Sequence, residues 1–213
     1  MWLNEGFTVF CERHVTNELE KAQKPEFAKV EAFLGNASMV SDMRNYGFEN
    51  SFSALYPEIA GYNPDDSFST VPYEKGYQFL VYLESIVGEI PFRDFLRFHI
   101  NKYSQQSVDY NMVRKTWEEY IPTDDNIPAE KKTEALAVDW EEWVVKPGMP
   151  PVTADFSTND QAEAEALADD YIARGGKTSP DNYKDYTDPA KYYANKKVIF
   201  ALRLLDKKEF VTY

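Results

Sequence analysis

Apolar residues recur at steps of three and four over most of the chain, which is the spacing of α-helices that bury one face. The pattern is strongest after Pro72, a residue suited to the first position of a helix, with Thr70 in the cap region before it. The apolar positions that follow are Tyr73, Tyr77, Leu80, Leu83 and Val87. We therefore predict a helix that begins at Pro72 and extends to about Val87.

The same spacing predicts helices over residues 25–44, from Pro91, after a cap at Asp109, after a cap at Ser157 and from Asp188. In the last of these, Val198, Ile199, Leu202 and Leu205 are spaced for burial. Residues 48–70 are rich in proline, serine and aspartate, which indicates irregular structure, and residues 122–135, rich in proline, aspartate and lysine, are expected to be an exposed excursion. The predicted fold class is mainly α.

One proline-rich segment, Pro147-Gly148-Met149-Pro150-Pro151, divides the chain. It predicts a first domain over residues 1–148, a linker over 149–156 and a second helical domain over 157–213. In the second domain an alanine-rich helix is expected to end at Gly175-Gly176.

The composition of the chain excludes several classes of protein and partner. A net charge of −13 argues against nucleic acid or an anionic membrane as a partner. No apolar run reaches the length of a membrane span, and a hydrophobic content of 43% allows a packed core. A single cysteine excludes an internal disulfide framework and is typical of the cytosol. We expect a cytoplasmic protein.

The first helix carries two acids on one face. Glu5 and Glu12 are seven residues apart, so they lie within ~20° of each other around a helix. His14 falls on the opposite face from Glu5 and cannot share a metal with it. His99, on an aromatic helix face, is expected to be a hydrogen-bonded core residue, and Cys11 a small packing group.

Three motifs in order resemble the leukotriene A hydrolase and bifunctional aminopeptidase branch of the family-one zinc metallopeptidases. They are Trp2-Leu3-Asn4-Glu5-Gly6-Phe7, Thr70-Val71-Pro72-Tyr73-Glu74-Lys75-Gly76-Tyr77, and Asp139-Trp140-Glu141-Glu142-Trp143 with the proline segment after it. The resemblance covers roughly the first 150 residues. It implies the second half of a thermolysin-like catalytic domain followed by the start of an α-helical C-terminal domain, with Trp140 and Trp143 as core anchors.

The resemblance also implies roles for individual residues. Glu5 is the acidic zinc ligand and Glu12 an acid that supports the ligands from behind. Tyr73 is the catalytic phenol, which donates to an oxyanion. The resemblance places Asp65 and Phe68 in substrate binding, although Asp65 also stands in an ordinary turn sequence and Phe68 replaces a tyrosine of the lipid-hydrolysing members. If this holds, the Glu5 carboxylate and the Tyr73 hydroxyl face one cleft.

In the family, the His-Glu-x-x-His motif that supplies two zinc ligands and a general base precedes the Trp2 motif. The chain is therefore expected to be an inactive fragment of a zinc aminopeptidase that acts on peptides, with possible epoxide hydrolase activity and the missing N-terminal half as a partner. Trp2, Val9 and Phe10 would then lose much of their burial, and Leu202 and Leu205 would lack partners.

Two other functions remain open. One is a non-catalytic helical scaffold or interaction protein that kept the fold and lost the chemistry. The other is a metal-independent hydrolase that uses Asp65, Glu5 and Glu12. Judged without the resemblance, Glu5 is an acid on a helix surface and Tyr73 a packing residue at the start of a helix.

Overall fold

A computed structural model of the chain describes residues 1–175, 184–189 and 191–207, which contain helices and turns but no strand. This confirms the predicted mainly α class. Within those residues, no helix is both long enough and apolar enough to span a bilayer. The α-helices are α1 Trp2–Glu20, α2 Phe27–Tyr46, α3 Val71–Val87, α4 Glu89–Lys102, α5 Tyr110–Tyr120, α6 Ala129–Leu136, α7 Asn159–Ala173, α8 Lys184–Thr187 and α9 Ala194–Asp206.

The chain forms two compact units. The first comprises Met1–Glu12 and Ser38–Ala154, and the second Arg13–Ala37 and Asp155–Tyr213. Helices α1 and α2 each contribute residues to both units. The predicted division into 1–148, 149–156 and 157–213 stays a prediction.

Helix α3 is the centre of the first unit, and its side chains are buried on almost every face. Phe79 lies among three tryptophan rings, with centroid distances of 5.8 Å to Trp2, 5.0 Å to Trp140 and 4.9 Å to Trp143. Trp140 and Trp143 are buried, as predicted for core anchors, and Trp143 belongs to a five-residue π-helix, Glu141–Val145. Aromatic packing thus joins the start of α1 to α3.

The expected loss of burial at the first helix is wrong. Trp2 is 3% exposed and Phe10 is 4% exposed, and Val9 is half-buried. Trp2 packs against Phe79, while the Phe10 ring contacts Phe92 at 5.3 Å. These side chains find their partners on α3 and α4 of this same chain.

Most residues of the predicted excursion at 122–135 are exposed, as expected, but the segment also contains a short helix. After Pro128 the chain enters α6, whose charged residues face outward while Ala135 is fully buried. The indole N–H of Trp117 donates to the Ala135 carbonyl at 2.9 Å. The charged composition of residues 129–136 therefore reflects the exposed face of a short helix.

The second unit is built around α7 and α9. A buried cluster contains Val30, Ala164, Tyr192, Tyr193 and Ile199. Thr158, one residue after the predicted cap, caps α7 by accepting from the Gln161 N–H at 2.9 Å. Gly175 follows α7 with a φ of +62°, and the neighbouring Gly176 lies outside the described residues.

Only part of the apolar face predicted for the last helix is buried. Ile199 lies in the core, whereas Val198 is exposed, so burial of all four spaced positions is wrong. Leu202 and Leu205 are exposed, as expected for residues without apolar partners. Consequently α9 buries a stripe narrower than its sequence spacing suggests.

Candidate functional site

Glu5 and Tyr73, 68 positions apart in sequence, lie together in the first unit. Glu5 is in the first turn of α1 and Tyr73 in the first turn of α3. The pKa of Tyr73 is raised, first by partial burial and then by the negative charge of Glu5 and a hydrogen bond to its carboxylate. The two groups are therefore close together, while the expectation that they face one cleft and their catalytic roles stay predictions.

The start of α3 is held by a residue that the sequence did not reveal. The Asp42 carboxylate of α2 accepts from the Thr70 backbone N–H at 2.8 Å and from the Thr70 hydroxyl at 2.7 Å. Thr70 therefore does not cap the helix with its own side chain, and Pro72 is the second helical residue instead of the first. Asp42 fixes the turn from which Tyr73 projects, and its position 28 residues earlier carries no local signal.

Asp65 and Phe68 lie just before this turn. Asp65 belongs to the 3-10 helix Pro64–Ser67 and is exposed. Phe68 is 63% exposed, and its ring stands edge-on to the Tyr73 ring, with centroids 6.4 Å apart and planes at 76°. The Tyr46 hydroxyl donates to the Phe68 carbonyl at 2.9 Å. Phe68 is thus next to Tyr73, whereas Asp65 occupies the turn that its sequence also predicted.

An open cavity of about 420 Å³ lies in the first unit, and its lining includes chain neighbours of both residues but neither Glu5 nor Tyr73 itself. Its walls are mostly apolar and include Trp2 and Leu3 from α1, Pro72 from α3, and Leu55 and Tyr56 from the connecting segment. Pro72 is the chain neighbour of Tyr73, and Leu3 is two residues from Glu5. A cavity of this size and composition is suited to a small apolar group.

The structure explains Lys75, a motif residue to which sequence reasoning assigned no role. Its side chain is fully buried, and the ammonium donates to the carbonyls of Ser53 at 3.1 Å, Lys146 at 3.1 Å and Gly148 at 2.9 Å. Burial lowers the pKa of Lys75 to about 8, against the charge of Glu142, which raises it. Lys75 ties two loop segments to α3. Glu74 beside it is also buried.

The other candidate residues singled out in the sequence differ in their exposure to solvent. Glu12 is exposed, and its supporting role stays a prediction. Cys11 is also exposed, so its expected packing role is wrong. His14 is half-buried. His99 is buried with its Nδ1 3.1 Å from the Thr116 hydroxyl, which confirms the expected hydrogen-bonded core histidine.

The predicted zinc ligand, Glu5, does not belong to a complete metal site within the described residues. No group of three or more His, Cys, Asp or Glu side chains within the described ranges is placed to hold a metal ion. The Glu5 carboxylate is a donor of the class that zinc accepts beside imidazoles. These residues by themselves do not form the three-ligand set that a catalytic zinc requires.

Comparison with known sequences identifies the family. The sequence profile of the peptidase family M1 domain matches residues 1–143. The chain belongs to peptidase family M1. Leucine aminopeptidase 2 of Aspergillus clavatus is 30% identical over 214 residues, which cover 99% of this chain and 32% of the relative. The leukotriene A-4 hydrolase homolog of Botryotinia fuckeliana is 31% identical over 199 residues, 93% of this chain and 29% of the relative.

Solved structures agree with this family M1 membership. Yeast LTA4 hydrolase in complex with bestatin matches 96% of this chain and 32% of its own, with a TM-score of 0.82 at 30% identity. Native leukotriene A4 hydrolase from Saccharomyces cerevisiae matches 93% of this chain and 31% of its own, with a TM-score of 0.77 at 31% identity. The chain spans about a third of the length of these relatives.

Proposed function

We propose that this chain is part of a zinc-dependent aminopeptidase, to which it contributes Glu5 as a zinc ligand and Tyr73 as a hydrogen-bond donor. The observation that carries the proposal is the contact of the Tyr73 hydroxyl with the Glu5 carboxylate across two helices. Membership of family M1, which is generally zinc-dependent, supports the same roles. Peptides are the proposed substrates and the cytoplasm the proposed location.

The raised pKa of Tyr73 suits a donor and not a base. A phenol that holds its proton at neutral pH can donate to negative charge that develops on a peptide carbonyl oxygen. A zinc ion held by Glu5 and by histidines outside this chain would supply Lewis-acid chemistry at that carbonyl. Loss of one such donor typically lowers kcat by ~10²–10³-fold.

The apolar cavity supports a preference for peptides that begin with an apolar residue. Its walls offer few polar groups, and they include Leu3 and Pro72, which are close in sequence to Glu5 and Tyr73. The name leucine aminopeptidase 2 of several relatives agrees with an apolar first residue. We therefore propose leucine-like side chains as the occupants of this cavity.

Epoxide hydrolysis is a second candidate, favoured by the similarity to LTA4 hydrolase structures and by the same cavity. In this reaction Asp65 would direct water, but it is exposed in its turn. Phe68 has no hydroxyl to offer at the place beside Tyr73. We therefore propose peptide hydrolysis as the main activity. Turnover of a lipid epoxide at rates comparable to leucine amide hydrolysis would reverse this order.

A reconstitution experiment tests the proposal. The chain is assayed for zinc content and for leucine-amide hydrolysis alone, and again after fusion to an upstream segment that carries His-Glu-x-x-His. Alone, it should hold little zinc and hydrolyse nothing, because Glu5 is one ligand of three. The fusion should bind one zinc ion and be active.

Two substitutions in the fused enzyme separate the roles. Glu5→Gln should lower zinc content, whereas Tyr73→Phe should retain zinc and lower kcat by ~10²-fold or more. Tyr103→Phe, at the end of α4, is the matched control and should leave both unchanged. Tight one-to-one zinc in the isolated chain, or unchanged kcat in Tyr73→Phe, would refute the proposal. A fused enzyme with no zinc and no activity would favour the scaffold function.

A further inference from the structure

Helices α1 and α3 touch backbone to backbone at two glycines. A Cβ atom placed on Gly6 would lie 2.9 Å from both the Cα and the carbonyl carbon of Gly76. One placed on Gly76 would lie 3.0 Å from the Cα of Gly6. Ordinary contacts of a Cβ begin at 3.4 Å, so neither position has room for a side chain.

These positions require glycine because it has no side chain, and not because of its backbone conformation. Neither Gly6 nor Gly76 has a positive φ, and both lie inside regular helices. Alanine has a higher helix propensity than glycine by ~1 kcal/mol, so glycine is costly here unless close approach is needed.

The contact lies level with the Glu5–Tyr73 pair. Glu5 directly precedes Gly6, and Tyr73 is three residues, just under one turn, before Gly76. A change in the separation of the helices at the glycines therefore changes the separation of the Glu5 and Tyr73 side chains by nearly the same amount.

Aromatic side chains lock the register of the crossing on both sides of Gly6. The ring of Trp2, one turn before it, lies 5.8 Å from that of Phe79, and the ring of Phe10, one turn after it, lies 6.4 Å from that of Tyr77. Trp2 and Phe10 are buried, so the helices cannot slide past one another without exposing large rings.

We propose that Gly6 and Gly76 are positioning residues, which set the separation between the Glu5 carboxylate and the Tyr73 hydroxyl. The proposal rests on the proposed function for its kinetic consequence, but its geometric content is independent of activity. An added methyl group at either glycine meets backbone atoms that cannot rotate aside. From 2.9 Å to an ordinary 3.4 Å or more, the helices must part by about 0.5 Å or more at this point.

The geometric test uses this 213-residue chain without metal or substrate. In isotope-labelled protein, the nuclear Overhauser effect between the Tyr73 ring and the Glu5 side chain reports their separation. Gly6→Ala and Gly76→Ala should weaken this signal by about twofold, because it falls with the sixth power of distance. Cys11→Ala, on the exposed side of the same helix, is the matched control and should leave it unchanged.

The kinetic test uses the fused, zinc-loaded enzyme and a double-mutant cycle. Gly6→Ala should lower kcat by ~10–100-fold with little change in KM, as expected from a misplacement below 1 Å. In the Tyr73→Phe background the same substitution should lower kcat by less than threefold, because the group it displaces is already gone. A residue with only a packing role would give the same fold-change in both backgrounds.

The outcomes separate this proposal from the proposed function. An unchanged Overhauser signal in both folded alanine variants, equal kinetic effects in both backgrounds, or loss of the fold in both variants overturns the positioning role. A weakened signal in variants of an inactive fused enzyme would support the positioning role while the proposed function fails.

Discussion

Replacing the buried ammonium of Lys75 should destabilise the first unit more than any surface lysine would. Lys75→Met retains most of the side-chain length but donates no hydrogen bond. The carbonyls of Ser53, Lys146 and Gly148 would then lose the donor they share. Two opposing effects decide the size of the change in the free energy of unfolding.

The first effect is the loss of the three hydrogen bonds. A buried carbonyl without a donor costs ~1–3 kcal/mol, so three cost about 6 kcal/mol at the middle of that range. The second effect is relief of the buried charge. The pKa of Lys75 falls from 10.5 to about 8, and at ~1.4 kcal/mol per pKa unit this corresponds to about 3 kcal/mol. The net expectation is a destabilisation of about 3 kcal/mol.

Urea unfolding followed by tryptophan fluorescence measures this difference. At an m-value of ~1–3 kcal/mol/M, the midpoint should fall by ~1–3 M. Lys146→Met removes an exposed lysine whose ammonium pairs with Glu142, and as the matched control it should cost less than ~1 kcal/mol. If the two variants unfold within ~0.5 kcal/mol of each other, the three carbonyls do not depend on Lys75 and the reasoning fails.

Three further predictions concern stability. Phe79→Ala should lower the free energy of unfolding by ~3–5 kcal/mol in urea, against less than ~1 for exposed Phe98→Ala; equal effects would contradict the central position of Phe79. Between pH 8 and 10.5 the unfolded state keeps a proton that folded Lys75 has released. The free energy of unfolding of wild type should therefore rise with pH relative to that of Lys75→Met, and a difference that stays constant with pH would refute this. Lys196→Met should cost ~1–3 kcal/mol by calorimetry, because it leaves Asp160 without its buried cation; an unchanged unfolding temperature would contradict this.

Helices and caps of the first unit were predictable wherever the determinant is local. Asp109 caps α5, as predicted, by accepting from the Met112 N–H at 2.9 Å, and α2 lies where the pattern over residues 25–44 predicted a helix. The failure at α6 has a physical cause. Its eight residues bury little more than Ala135, so the pattern of buried positions is too sparse to indicate a helix.

In the candidate site, too, some residues could be identified from the sequence and others could not. Glu5 and Tyr73 were identified from sequence motifs, and their proximity followed from the family resemblance. Asp42 could not be identified, because an aspartate inside a helix gives no sign that it will meet the start of another helix 28 positions later. Lys75 was recognised as part of a motif, yet its three acceptors are backbone carbonyls, which any sequence supplies.

The residues that position Glu5 and Tyr73 differ from the two residues proposed to carry out the reaction. Tyr73 is oriented by a helix start that Asp42 ties to α2, and it meets Glu5 where two glycines let the backbones touch. The aromatic core around Phe79 then prevents α1 from rotating or sliding away. A hydrogen bond tolerates only a few tenths of an ångström before it weakens, so a pair drawn from distant segments requires rigid packing on every side. Substitutions in this core should therefore impair the site before they unfold the unit.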